Sequence, residues 1–194
     1  MLDDCIISEI VLASTSPRRH NLLRQVNIPF RVIVPSAVEC FPDTNDFPEV
    51  VVKNALLKAE SVLDQANGQL ILGADTLVEL DGKPLGKPSD TDDARRMLME
   101  LSGRDHFVHT GIALIDPVTD NRFTNHEITR VFFRNLSKEE IKDYISSGEP
   151  MDKAGSYGIQ ERGALFIHRV EGCFFNVMGL PLSKLWQMLI DYRF

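Results

Sequence analysis

Cysteine is scarce in this 194-residue chain: there are three, Cys5, Cys40 and Cys173. They are widely spaced and form no Cys-x-x-Cys pair, which argues against a zinc site or a dithiol redox centre. The five histidines (His20, His106, His109, His126 and His168) show no His-Glu-x-x-His or similar ligand spacing, so surface or structural roles are expected of them. No stretch approaches 18 uncharged apolar residues, which excludes a transmembrane helix. The start, Met1-Leu2-Asp3-Asp4, is acidic where a signal peptide needs basic residues, and a cytoplasmic location is expected. Basic excess is lacking too: 21 Lys and Arg against 28 Asp and Glu leave a formal charge of −7. Such a domain is a poor general nucleic-acid binder, and a polyanionic ligand would have to be held by a local cluster working against the overall field. No internal repeat, linker or low-complexity tract interrupts the chain.

What is present is an ordinary globular composition, 43% hydrophobic and 25% charged, in a length that suits one domain spanning residues 1–194. Strand-like and helix-like patterns alternate, which predicts an α/β fold, a mixed sheet with helices on it. Strands are expected at 9–13, at 70–74 and 77–80 on either side of Asp75, at 107–115 paired with 127–133, and at 164–170. Helices are expected at 17–26, 46–63, 91–101 and 181–192. Another should open at Ser137-Lys138-Glu139-Glu140, a capping box, and stop at Gly148.

Four places carry chemistry. In Ser14-Thr15-Ser16-Pro17-Arg18-Arg19, Ser16 suits an N-cap and Pro17 the first helical position. Arg18 and Arg19 then sit where a helix prefers acids; a bound anion would relieve the mismatch, or the two are solvated surface arginines. Lys58 lies on or beside the apolar stripe of Val51, Ala55, Ala59 and Val62, where it either snorkels outward or reaches into a cleft. Asp75 interrupts the apolar run 70–78 and is either a metal ligand or general base, or a turn cap between two strands. Gly86-Lys87-Pro88-Ser89 fails the spacing of a Walker A loop. The Gly-rich stretch 152–160 reads as a loop approaching a ligand, ending in Gln160, whose amide can pair with a base or ribose or stay on the surface. One Asp in an apolar setting, two Arg, two Lys and several hydroxyls together suit a phosphate ester or anhydride hydrolase.

The opening Leu12-Ala13-Ser14-Thr15-Ser16-Pro17-Arg18-Arg19 resembles the signature of the Maf family of nucleoside triphosphate pyrophosphatases. Gly73-Ala74-Asp75-Thr76, Gly86-Lys87-Pro88, Leu101-Ser102-Gly103, Asp152-Lys153-Ala154-Gly155, Tyr157-Gly158-Ile159-Gln160 and Val177-Met178-Gly179-Leu180-Pro181 match further family motifs in order. The resemblance implies an elongated mixed β-sheet flanked by helices, two lobes with a central cleft, as in the inosine triphosphate pyrophosphatases. It implies cleavage of a nucleoside triphosphate to the monophosphate and pyrophosphate with a divalent metal, Mg or Mn. It implies that Ser14, Arg18, Arg19, Lys58 and Lys87 hold phosphates, that Asp75 binds metal or activates water, that Glu39 assists with metal, and that Gln160 reads base or sugar. A homodimer is compatible with it.

Ser-Pro-Arg-Arg with Tyr-Gly-Ile-Gln is similar to the branch acting on dTTP and UTP, with modified pyrimidine nucleotides as further substrates. The 7-methyl-GTP branch differs at both places. Other readings are a purine triphosphate pyrophosphatase and a non-catalytic nucleotide-binding regulator of septum formation. The family often has two successive acids where this chain reads Val38-Glu39-Cys40. A thiol is a weak substitute for a hard oxygen-preferring ion, and Asp43 is the alternative carboxylate nearby.

Overall fold

The computed structural model describes residues 8–40 and 46–193. A seven-stranded mixed sheet forms its centre. The strands are β1 (Ile10–Ala13), β2 (Phe30–Val32), β3 (Ile71–Leu80), β4 (Lys83–Leu85), β5 (Asp105–Asp116), β6 (Asn121–Phe133) and β7 (Ile167–Glu171). The helices are α1 (Pro17–Gln25), α2 (Phe47–Glu60), α3 (Thr91–Leu101), α4 (Lys138–Ser146), α5 (Phe174–Val177) and α6 (Leu182–Arg193). The strand order is β2-β1-β3-β5-β6-β7, with the short β4 folded back on β3. β1 runs parallel to β2 and β3, and the remaining pairs are antiparallel. This is the expected mixed sheet flanked by helices. Among the described residues no helix is long and apolar enough to cross a membrane.

The main departure concerns β3. The sequence predicts a break at Asp75, yet the strand runs unbroken from Ile71 to Leu80. Asp75 sits mid-strand opposite Gly111 of β5, so it is no turn cap. β2 and β4 were not foreseen, because three residues are too few to show a periodicity. The expected strand at 164–170 is a 3-10 turn over Glu161–Phe166 followed by β7. The capping box forms as read: Glu140 N–H donates to Ser137 Oγ, and Ser137 N–H donates to Glu140.

The period of two along β3 sorts its side chains into two layers. Ile71 and Leu77 face α2, whereas Leu72 and Ala74 meet Leu22, Leu23, Leu185 and Leu189 of α1 and α6. Further along, Val78 and Leu80 pack with α3 and α4 through Leu98, Leu101, Ile141 and Tyr144. Two separate cores therefore lie under one sheet, and a cleft opens between them.

Two glycines set the height of α2. A Cβ on Gly73 would lie 2.1 Å from the carbonyl oxygen of Ala55, and one on Gly111 would lie 2.3 Å from the backbone carbonyl of Val51. Only bare backbone lets the helix descend this far onto β3 and β5. We expect Gly111→Ala to destabilise the protein by about 3 kcal/mol, measured by denaturant unfolding, because the opposing atoms are backbone and cannot rotate away.

The second core contains a buried histidine with a structural role. His106 Nε2 lies 2.6 Å from Tyr157 Oη, with Phe133 and Tyr157 edge-on to its ring. Burial lowers its pKa to about 3. The unfolded chain, where histidine titrates near 6.5, therefore binds the extra proton first. Stability should be at its full value above pH 6.5 and fall by up to about 1.4 kcal/mol per pH unit as pH drops toward 3. Denaturant titrations of wild type and His106→Gln between pH 7 and pH 4 check this: the variant should show the flatter dependence.

Candidate active site

Between the two cores lies a cleft of about 870 Å³, a size that suits a small-molecule ligand. Its walls come from the β1–α1 junction, the segment before α2, the middle of β3, the loop after β4 and the turn region 152–161. Ser14, Arg18, Arg19, Glu39, Lys58, Asp75, Lys87 and Gln160 all line it. Residues far apart in sequence thus share one concave surface. Asp43 lies outside the described residues.

At the cleft floor, Lys58 Nζ sits 2.5 Å from Asp75 Oδ1 and 2.8 Å from Glu39 Oε1. Lys58 and Asp75 are buried, and the Glu39 side chain is half exposed. The other carboxylate oxygen of Asp75 accepts a hydrogen bond of 3.0 Å from Asn54 Nδ2. The buried face of α2, Val51, Asn54, Ala55, Lys58 and Ala59, explains the arrangement. Asn54 and Lys58 are one helical turn apart and point at the same strand residue. Lys58 therefore does not snorkel outward: it completes a buried ion pair, which is what makes Asp75 tolerable inside a strand.

The β1–α1 junction is organised differently from the expectation. Ser16 takes the N-cap position, but its hydroxyl makes no capping bond. Its N–H donates to Ser14 Oγ at 3.2 Å. Arg19 is buried, and three of its five N–H donors go to protein: Nε donates to the Gly179 carbonyl at 2.8 Å, one terminal nitrogen to Ser14 Oγ and the other to Thr76 Oγ1, both at 3.0 Å. Burial lowers its pKa to about 10, so it stays charged under working conditions. Arg19 thus ties β1, β3 and the 176–180 turn together beneath the cleft. Arg18 points into the cleft and meets Asp152 at 3.2 Å. Part of the charge mismatch at the start of α1 is therefore answered by a carboxylate from the opposite wall.

That wall also carries cations. Lys153 Nζ is 2.8 Å from Asp152 and 2.7 Å from the Glu149 carbonyl. Lys87 is exposed at the cleft and has no side-chain partner among the described residues. Neither does the amide of Gln160, which is left free for a ligand. The turn that presents Gln160 needs Gly155 at φ +68°, a conformation that L side chains rarely adopt, and an added Cβ would lie a tight 3.0 Å from the Val78 side chain. Tyr157, buried against His106, fixes its middle.

Three cleft residues were not singled out from the sequence: Asn54, Thr76 and Lys153. Asn54 had a usable signal, its i,i+4 spacing to Lys58 on an apolar face. Thr76, which touches Arg19 and Thr110, lies within the motif Gly73-Ala74-Asp75-Thr76, but nothing there told its contacts. Lys153 lies within a motif already noted, but its direction depends on the fold.

The profile of the family described as Maf-like protein matches residues 9–192. The chain belongs to the Maf family. A Maf relative from Pelotomaculum thermopropionicum, named dTTP/UTP pyrophosphatase, is 46% identical over 97% of this chain and 98% of its own. Two others with the same name, from Symbiobacterium thermophilum and Bacillus cereus, are 47% and 42% identical. The first covers 97% of this chain and 96% of its own, and the second 96% of each. Among solved structures, the Staphylococcus aureus Ham1 protein aligns with a TM-score of 0.47 and 18% identity, over 65% of this chain and 72% of its own.

Proposed function

We propose that this Maf protein is a nucleoside triphosphate pyrophosphatase acting on dTTP and UTP. It converts them, and modified pyrimidine triphosphates, to the monophosphate and pyrophosphate, as a cytoplasmic house-cleaning enzyme. The observation that carries this reading is the cleft itself. One concave surface brings the Lys58–Asp75–Glu39 cluster together with Arg18, Lys87 and Lys153, in a chain that matches full-length relatives of that name.

The chemistry follows from the residues. A triphosphate carries charge that must be spread before the α–β bridge can break. Arg18, Lys87 and Lys153 supply cations at the cleft walls, and Ser14 and the first N–H groups of α1 supply donors. Arg19 acts through Ser14, which it orients. Asp75 accepts the proton of the attacking water, and Lys58 holds the carboxylate in place. The water oxygen bonds to phosphorus as the bridging P–O bond breaks, and the monophosphate and pyrophosphate separate, the latter against Arg18 and Lys87. Gln160, unpartnered at the rim, pairs with the pyrimidine or ribose.

Among the described residues no three His, Cys, Asp or Glu side chains are gathered closely enough to hold a metal alone. Two carboxylates, Asp75 and Glu39, meet the same Lys58 ammonium, and a hard cation such as Mg²⁺, commonly held by one or two carboxylates plus substrate phosphate oxygens, would share them with it. Oxygen donors of this kind suit Mg or Mn, and Asp75 and Glu39 are the residues that would hold it. When bound, such an ion neutralises phosphate charge and polarises the reacting phosphoryl group.

The test is a substrate panel of dTTP, UTP, CTP, GTP and 7-methyl-GTP, each with Mg²⁺ and with Mn²⁺. Turnover should be fastest with dTTP and UTP. Turnover of 7-methyl-GTP alone would overturn the assignment of specificity.

A further inference from the structure

The carboxylate of Glu39 has a support problem. Segment 34–40 follows the last ladder bond of β2 and has no regular secondary structure. Among the described residues its backbone is fastened by few bonds. Ser36 N–H donates to Ser61 Oγ at 3.3 Å, and all the rest go to one side chain, Asn54. A half-exposed glutamate on such a segment would wander unless something fixed its backbone.

Asn54 does this with a double clamp. Its Oδ1 accepts from Cys40 N–H at 2.7 Å, and its Nδ2 donates to the Cys40 carbonyl at 3.0 Å. The amide thus pairs with both backbone groups of one residue, as a neighbouring strand would. The second Nδ2 hydrogen goes to Asp75 Oδ2, also at 3.0 Å. The side chain is 3% exposed, so these bonds do not compete with water. One planar group therefore links the residue beside Glu39 to the carboxylate of Asp75, on the side opposite Lys58.

We propose that Asn54 is a positioning residue for the reaction: it holds the Glu39 segment and the Asp75 carboxylate in register, so that both acids meet at Lys58. It touches no substrate. The role rests on the assignment of Asp75 and Glu39 as the catalytic pair. Other side chains do not meet the geometry. Aspartate offers no donor to the Cys40 carbonyl or to Asp75, glutamine is longer by one methylene, and leucine fills the space without any bond.

The test uses Asn54→Leu, which keeps the branched shape but none of the bonds, and Asn54→Ser, which leaves room for water and keeps a polar group. For both, kcat should fall at least 10-fold while KM for dTTP stays within 3-fold, because the phosphate-holding groups are untouched. Independently of turnover, alkylation of Cys40 by iodoacetamide, followed by mass spectrometry of its peptide without nucleotide or metal, should quicken at least 3-fold. Variants with kcat within 3-fold of wild type would overturn the proposal. So would a fall in kcat with Cys40 alkylation unchanged, or a loss expressed in KM alone. Wild-type protein that fails to cleave dTTP, with Cys40 protected in it and exposed in the variants, would sink the functional reading and leave Asn54 only a structural clamp.

Discussion

Asp75→Asn should lower dTTP turnover by about 10³-fold, equivalent to about 4 kcal/mol of transition-state stabilisation, while leaving nucleotide binding within a few-fold of wild type. The reason is chemical. The amide has the same shape, and its one oxygen can still accept from Lys58, but its nitrogen then faces the Asn54 Nδ2 donor; it cannot take a proton from water and is a poor ligand for a hard cation. The phosphate-holding cations lie on other elements and are unaffected. Steady-state kinetics together with binding of a non-hydrolysable dTTP analogue check both halves. Turnover within 10-fold of wild type would remove Asp75 from the chemistry.

Lys58→Met should be nearly as damaging, with kcat/KM down by about 10²-fold to 10³-fold. Its structural cost is also larger than that of Asp75→Asn, which leaves no unpaired charge of its own at position 75. Lys58 is the common partner of two carboxylates. Removing it leaves Asp75 buried and charged without its cation, at a cost of about 3 kcal/mol or more. Turnover and stability can be separated by the double variant Lys58→Met/Asp75→Asn. Neutralising the orphaned acid should restore much of the melting temperature and none of the activity. Differential scanning calorimetry beside turnover measures this. A double variant no more stable than Lys58→Met would mean that the ion pair does not govern the local energetics.

Much of this was legible from residues, for identifiable reasons. Long periodic segments such as α3 and the β5–β6 pair declared themselves, and the capping box at Ser137 marked the start of α4. β3 was harder. A carboxylate in an apolar run looks like a break, and only α2, lowered onto Gly73 and Gly111, brings Lys58 and Asn54 to satisfy it mid-strand. The same limit applies to Arg19. Its sequence position suggests a phosphate ligand, and its additional bonds to Gly179 and Thr76 come from elements that only the fold assembles. Arg18, its neighbour, lines the same cleft but pairs with Asp152, and nothing in the sequence separates the two. The Cys40 departure was visible in sequence, but its anchoring by Asn54 was not.

The central claim is that this cleft breaks the α–β bridge of a pyrimidine nucleoside triphosphate. Product analysis of purified protein with dTTP and Mg²⁺, by anion-exchange chromatography with a phosphate assay, tests it most directly. The account predicts dTMP and pyrophosphate in equal amounts, with no dTDP at any time and no orthophosphate. Formation of dTDP and orthophosphate, which reports cleavage at the γ-phosphate, would contradict it.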